Sequence, residues 1–366
     1  MRYLSLDFFR GLTIALMIVV NDPGTWSHVY APLRHAAWHG CTPTDLVFPS
    51  FLFIVGVAMW FSFSKFNGQL SAELARKILR RTALIFLVGL ALNAYPFFNK
   101  DWSTLRIMGV LQRIGLAYGL AAFLCIFLKR RHLAVAAGLM LVAYWLLMWL
   151  CATGDPYALE TNLARWFDAR VLTDAHLYKG FGIPFDPEGL LSTLPAAVTA
   201  ILGYLTGGLI AQNGENKGGL VRDLSSWGAG LVLTGWLWGL VFPINKPLWT
   251  SSYVLYAGGW AMLVLALCVW VLDIRGWQRA AKPFLVFGAN PLFAFVLSGL
   301  LVKTLALFKY EDAEGKTRNA YHWIYQHIFY PIDAAEFGSL LFALCYATAI
   351  WAVCWVLWRR KIFIKI

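Results

Sequence analysis

Apolar residues in this chain gather in long blocks instead of alternating with polar ones. Ten such blocks lie near residues 5–23, 45–65, 78–96, 106–127, 133–152, 190–211, 220–241, 251–272, 284–302 and 338–358. Each is close to the ~20 residues that a bilayer-crossing helix needs. Barrel strands would alternate over about ten residues, so the pattern predicts helices. The expected fold is an all-α polytopic membrane protein, a bundle of about ten transmembrane helices forming one domain over residues 1–366. No internal repeat is visible, which argues against the repeat-built transporters. Two long connections, near 153–189 and 303–337, mix acids, aromatics, Pro and Gly and are expected to fold as caps over the outer face. The first block has the look of a signal core, but Asn21-Asp22-Pro23-Gly24 offers no small-x-small cleavage site, so it is kept as the first span.

Composition strengthens this picture. The 366 residues are 60% hydrophobic and only 14% charged, with a mean hydropathy of +0.62, more apolar surface than a soluble domain can bury. The eighteen Trp suit belts at the two water interfaces. The six Cys have no paired spacing, so neither a zinc site nor a disulfide framework is expected, and Cys41 and Cys151 read as apolar filler. The formal charge of +12 is a topology signal. With the N-terminus inside, the cytoplasmic segments hold 19 of the 31 Lys and Arg, from Arg2 and Lys65 to Lys365, but only 5 of the 19 acids. That follows the positive-inside rule, so membrane lipids and not nucleic acid are the expected surroundings. An even number of spans places both termini in the cytoplasm.

The chemistry lies at the edges of the blocks, where charge beside hydrocarbon is costly and marks function by default. Asp7 and Arg10 share a helix face at i,i+3 and can pair; alternatively Arg10 snorkels to lipid phosphate. Asn21 ends the first block, where it can cap the helix ahead of Pro23. Thr42-Pro43-Thr44-Asp45 reads as a capping box with Pro at the first helical position. Between them stand His28, His35 and His39. The His35-x3-His39 spacing would suit a metal on a helix, but no acid completes a shell and no metal is expected. A general base is the better use, since imidazole titrates near neutrality. Gln112 and Arg113 fall within the fourth block, where a guanidinium must face a cavity or an acid. Asp186 and Glu188 precede the sixth block and suit its positive end. The stretch Asn245-Lys246-Pro247-Leu248-Trp249-Thr250-Ser251-Ser252 offers a cation, an aromatic face and hydroxyls, a composition suited to a sugar or to a cap beside a Trp belt. Asn290-Pro291 breaks the ninth block and frees backbone polar groups.

Five stretches carry a resemblance: Ser5 to Gly11, His35 to Pro49, Leu111-Gln112-Arg113-Ile114, Asp186-Pro187-Glu188-Gly189-Leu190, and Asn245-Lys246-x-Leu248-Trp249. Together, and in order over nearly the whole chain, they resemble the heparan-α-glucosaminide N-acetyltransferase family. The resemblance implies acetyl transfer across a membrane, with cytosolic acetyl-CoA as cosubstrate. The implied acceptor is the amine of a glucosamine-type sugar or small oligosaccharide on the outer, periplasmic side. The family's catalytic histidine falls on His35 and its active-site asparagine on Asn21; Asp45 is the third catalytic candidate. Arg10, Gln112, Arg113 and Asn290 are the candidates for CoA, and Trp38, Asp186, Glu188, Lys246, Trp249 and Ser252 for the acceptor. His39 and Cys41 stand where the family varies. Lysosomal members carry a further luminal domain and N-terminal span. This chain begins at the shared core, as bacterial relatives do, so a bacterial inner membrane is the expected location and a long glycosaminoglycan acceptor is disfavoured. The oligomeric state is open, a homodimer included. Two other readings stay open, an amino-sugar permease and an O-acyltransferase acting on envelope glycans.

Overall fold

The computed structural model describes residues 3–66, 71–312, 315–332 and 335–364. Arg2, Lys365 and the side chain of Lys65, all counted above among inward cations, lie outside the described residues. The chain is mostly helical. In order it forms α1 (Leu4–Asn21), α2 (Val47–Phe63), α3 (Ala72–Ala94), α4 (Val110–Phe127), α5 (Arg130–Leu150), α6 (Leu163–Leu172), α7 (Thr193–Asn213), α8 (Lys217–Trp238) and α9 (Ser251–Cys268). There follow α10 (Lys282–Ala289), α11 (Pro291–Leu305), a two-stranded antiparallel hairpin of β1 (Lys309–Glu311) and β2 (Thr317–Asn319), α12 (Ala320–Ile324) and α13 (Ala335–Arg359).

Among the described residues, seven helices are long and apolar enough to cross a membrane: α1, α2 with the turn before it, α4, α5, α7, α9 with the turn after it, and α13. An eighth candidate is the pair α10 and α11, bent by 85° at Asn290-Pro291. Proline there has no N–H to give and cannot continue the preceding turn, which accounts for the break. Helices α3 and α8 are as long, with 23 and 22 residues. Their opening turns carry Arg76, Lys77, Arg80 and Arg81, or Lys217, Arg222 and Asp223, so they fall short of that apolarity. Two local features refine the sequence expectation. The fourth block becomes helix only at Val110, because residues 105–109 run extended to meet a neighbouring loop, where Ile107 donates its backbone N–H to His176. The first long connection is not all irregular: Asn162 caps α6 by accepting from the Arg165 N–H at 2.9 Å.

Side-chain contacts sort the connections into two ends of the bundle. At one end the segments after α1, α3, α5 and α8 meet, through Trp38 with Tyr157, Arg106 with Asp186, and Asn245 with Trp38. At the other end Asp273 accepts from the Leu4 and Ser5 N–H groups at the start of α1, and Lys217 Nζ donates to the Asp273 carbonyl. Asn290 holds the tail there. Its amide donates to the Ile362 carbonyl at 3.0 Å and its oxygen accepts from the Ile364 N–H at 2.7 Å.

The centre of the bundle is the α2–α7 pair, each two-thirds buried, whereas α5 and α13 are buried over only 28% and 33% and lie outermost. With no hydrophobic drive between helices in lipid, close approach rests on small residues. A Cβ on Gly56 would overlap the Ala200 carbonyl, and one on Gly203 the Phe53 carbonyl. The same device joins α1 to α10, where Gly11 and Gly288 face the backbone of Phe284 and Asp7. Gly56→Val is therefore expected to push α2 and α7 apart and to cost about 1–3 kcal/mol. The measurement is thermal unfolding in detergent; an unchanged midpoint would show that this crossing does not need glycine.

Candidate active site

The loop between α1 and α2 takes its shape from a single carboxylate. Asp45 is only 1% exposed in the short 3-10 turn Pro43–Leu46 that leads into α2. Its Oδ2 accepts from the Ala36 N–H at 3.0 Å, the Thr42 N–H at 3.0 Å and the Thr42 hydroxyl at 3.1 Å. The capping box read from Thr42 to Asp45 is thus present, with Pro43 opening the turn. Oδ1 is left for two cations or their neutral forms, His35 Nδ1 at 2.7 Å and Lys246 Nζ at 3.4 Å. Asp45 is therefore at once a cap and the partner of the imidazole.

A carboxylate only accepts, so it fixes the proton of His35 on Nδ1 and leaves Nε2 with its lone pair. The imidazole stays 37% exposed and can meet a solute, while Asp45 beneath it cannot. Lys246 closes the triangle, its Nζ 3.1 Å from His35 Nδ1. Burial pushes the Lys246 ammonium below the ordinary lysine range, against the pull of Asp45, Glu188 and Cys41.

Lys246 arrives from the α8–α9 connection because Asn245 stitches the two loops together. Its amide donates to the Trp38 carbonyl at 2.9 Å and lies 3.3 Å from His39 Nδ1, and its oxygen accepts from the Leu248 N–H at 2.7 Å. Gly40, with φ +106°, donates to the Ile244 carbonyl alongside, a conformation that a side chain would strain. His35 and His39 thus serve different partners. Among the described residues no three His, Cys, Asp or Glu side chains are grouped to hold a metal ion.

A second charged group flanks the first. Arg106 makes a two-pronged contact with Asp186 at 2.9 and 2.8 Å, reaches Glu188 at 2.6 Å, and lies 4.6 Å over the Tyr178 ring. Asp186 and Glu188 therefore share the one Arg106 guanidinium instead of capping α7. The turn that leads into α7 is held instead by Asp168 of α6, whose Oδ1 accepts from the Leu190 and Leu191 N–H groups at 3.0 and 3.1 Å. Below them Arg113 is fully buried. It donates to the Gly189 carbonyl at 3.0 Å and to the Ser192 hydroxyl, and stacks 4.9 Å over Trp249. Its Nε and Nη1 have no hydrogen-bond partner among the described residues. The guanidinium expected to face a cavity or an acid is thus held by a carbonyl, a hydroxyl and a ring.

The remaining candidates are placed as follows. Trp38 belongs to the same loop as His35; its indole donates to the Tyr157 carbonyl at 2.8 Å and its ring packs on Phe181 and Phe185. Trp249, 1% exposed, donates to Thr199, and the wholly buried Ser252 to the Phe242 carbonyl, so both anchor the Lys246 loop from beneath. Gln112 donates to the Ile107 carbonyl at 2.9 Å and supports the extended approach to α4. Asn21 is the exposed last residue of α1, and its amide makes no hydrogen bond to His35. Arg10 lies 3.6 Å from Asp7, as its spacing implied, and 3.4 Å from the Gly288 carbonyl. Asn290 binds the tail at the end of the bundle opposite His35. A cavity of about 490 Å³ beside the hairpin is lined by Ala306, Lys309, Thr317, Arg318, Asn319 and His322, none of them a predicted site residue.

Sequence reasoning missed Arg106 and Asp168. Arg106 carried a signal, a lone cation at the outer lip of an apolar block, but Asp168 sits in an ordinary-looking loop helix. Burial raises the Asp168 carboxyl to about 7, although the Leu191 N–H and Arg113 oppose the shift. A carboxyl raised in the folded state favours folding fully below its unfolded value near 4, and that contribution is lost as pH climbs to about 7. Asp168→Asn keeps an acceptor for Leu190 and Leu191 and cannot ionise. Its melting midpoint, relative to the parent, is expected to rise from pH 5 to about pH 7 and then level off; a constant difference would refute the assignment.

Residues 2–236 match the family described as heparan-alpha-glucosaminide N-acetyltransferase, catalytic. Two relatives named heparan-alpha-glucosaminide N-acetyltransferase, from Mus musculus and Homo sapiens, are 27% and 28% identical over alignments that cover all of this chain. The chain spans about 60% of the length of each. The match over most of the sequence shows that the chain belongs to the heparan-alpha-glucosaminide N-acetyltransferase catalytic family.

Proposed function

We propose that this chain moves an acetyl group from acetyl-CoA to the amine of a glucosamine-type sugar, with His35 handling the proton. The observation that carries the reading is the His35–Asp45 contact, 2.7 Å long and open to solvent on the imidazole side only, in a chain whose relatives are named N-acetyltransferases. An amino sugar arrives as an ammonium and must lose a proton before its nitrogen can attack a thioester carbon. The free Nε2 of His35 takes that proton, and Asp45 stabilises the imidazolium that results. As the carbonyl carbon becomes tetrahedral, its oxygen gathers charge. The Asn21 side-chain amide, without a hydrogen-bond partner among the described residues, is a donor for that oxygen, a contact worth about 2.7–4 kcal/mol where such donors have been removed. Collapse expels CoA as the thiol. In a second form of the same reaction His35 carries the acetyl group covalently before the amine arrives.

The proposed topology has ten crossings and both termini in the cytoplasm, in a single domain of a bacterial inner membrane. The grouping of the connections after α1, α3, α5 and α8 at one end supports α3 and α8 as crossings despite their cationic first turns. Cation-rich turns at the other end support its placement inside. Arg10 and Asn21 are separated by about 16 Å of rise along α1, at 1.5 Å per residue. The helix thus offers a cation for CoA phosphate toward one face and an amide donor for the acetyl oxygen at the other. Two substrates from opposite compartments would meet at one point, which supplies the proximity advantage.

The test is thiol release by the purified protein in detergent, with acetyl-CoA and a panel of amino sugars. Release is expected to need an amine, and His35→Ala to lower the rate ~10²–10⁴-fold. Asp45→Asn is expected to lower kcat more than KM. Activity within a few-fold of the parent in His35→Ala would remove the residue from the chemistry. Uptake of unmodified sugar by vesicles lacking acetyl-CoA would support a permease instead. A burst of thiol without acceptor would select the covalent form.

A further inference from the structure

Lys246 stands out among the basic groups at the loop end. Its Nζ lies 3.1 Å from His35 Nδ1 and 3.4 Å from Asp45 Oδ1, with its side chain only 17% exposed. The three polar atoms cannot all be satisfied in their ordinary charged forms. If His35 Nδ1–H donates to Asp45, the nearest face of an ammonium meets another N–H at 3.1 Å. A neutral amine, whose lone pair can accept, removes that conflict. The low polarity around Lys246 acts in the same direction, and a desolvated lysine beside a base is the usual setting for a nucleophilic amine.

We infer that Lys246 is itself an acetyl acceptor, so that with acetyl-CoA present and no sugar amine the protein acetylates its own side chain and shuts its site. The inference rests on the proposed acetyl-transfer reading. In the step, the Lys246 ammonium first loses a proton to water, because the facing His35 Nδ1 already carries its own proton toward Asp45 and favours the neutral amine beside it. The neutral nitrogen then attacks the thioester carbon; a C–N bond forms, the C–S bond breaks, and the nitrogen's surplus proton leaves by the same route as the thiolate becomes CoA thiol. The product is an uncharged amide. It no longer balances Asp45, and its added acetyl group fills the space beside His35. Lys179 and Lys316 are exposed and are not held beside the His35–Asp45 pair as Lys246 is, so acetylation there depends on collision alone.

The experiment incubates the full-length protein in detergent with radiolabelled acetyl-CoA and no acceptor, followed by peptide mapping. One acetyl group is expected on the peptide bearing Lys246, stable to hydroxylamine as an amide is and an acetyl-imidazole is not. Its labelling should exceed that of Lys179 and Lys316 by on the order of tenfold or more, the effect of a held over a free reactant, and should fall at least as far in His35→Ala. Preincubation with acetyl-CoA should lower later transfer to amino sugar in the parent, while Lys246→Arg keeps its own starting rate. An unlabelled Lys246, or equal labelling in heat-denatured protein, overturns the inference. The amino-sugar assay separates the two readings: turnover with an unlabelled Lys246 sinks self-acetylation alone, and no transfer to any amine sinks the parent reading with it.

Discussion

Everything at the loop end depends on one buried carboxylate finding enough donors. Asp45 can leave water only because each of its oxygens is met, one by two backbone amides and a hydroxyl, the other by an imidazole and an amine. Those donors come from three places in the chain, the His35 segment, the turn that starts α2, and the α8–α9 connection. Desolvation thus does the folding work: the loops are ordered because leaving Asp45 unsatisfied would be costly. The same requirement leaves one imidazole nitrogen free and turned to solvent. A stabilising contact and a chemical group are produced by a single constraint.

The bundle below gives that constraint something rigid to act on. Glycines at the α2–α7 and α1–α10 crossings let backbones touch, so the ends of α1 and α2 are set by packing and not by the loop. Arg113, stacked on Trp249 and bonded to the Gly189 carbonyl, joins α4 to the segment before α7 and to the start of α9. Charge at this end is graded by burial: the His35 imidazole is open to solvent, Lys246 is mostly covered, and the Arg113 guanidinium is fully buried.

Much of the helical architecture was legible because an apolar run of about twenty residues has few meanings in a bilayer. The break at Asn290-Pro291 was equally legible, since proline acts locally. What could not be read were pairings between distant positions. Lys246 and His35 are 211 residues apart, and Arg106 and Asp186 are 80 apart; periodicity carries no information on such contacts. Trp249 and Ser252 looked like sugar-facing groups by composition, yet the positive φ of Trp249 turns the chain so that both point into the bundle. Asp45 was read as a cap and as a catalytic candidate, and its cap and its contact with His35 use different oxygens of the same side chain.

The clasp between Asn290 and residues 362–364 has a consequence for biosynthesis. When the α10–α11 corner first enters the translocon, its amide lacks the partners it will use, because the Ile362 carbonyl is 72 residues from being made. An unpaired amide in hydrocarbon draws in water or a transient helix partner. The corner is therefore provisional through the insertion of everything up to α13, and this end of the bundle closes only once residues 362–364 are in place.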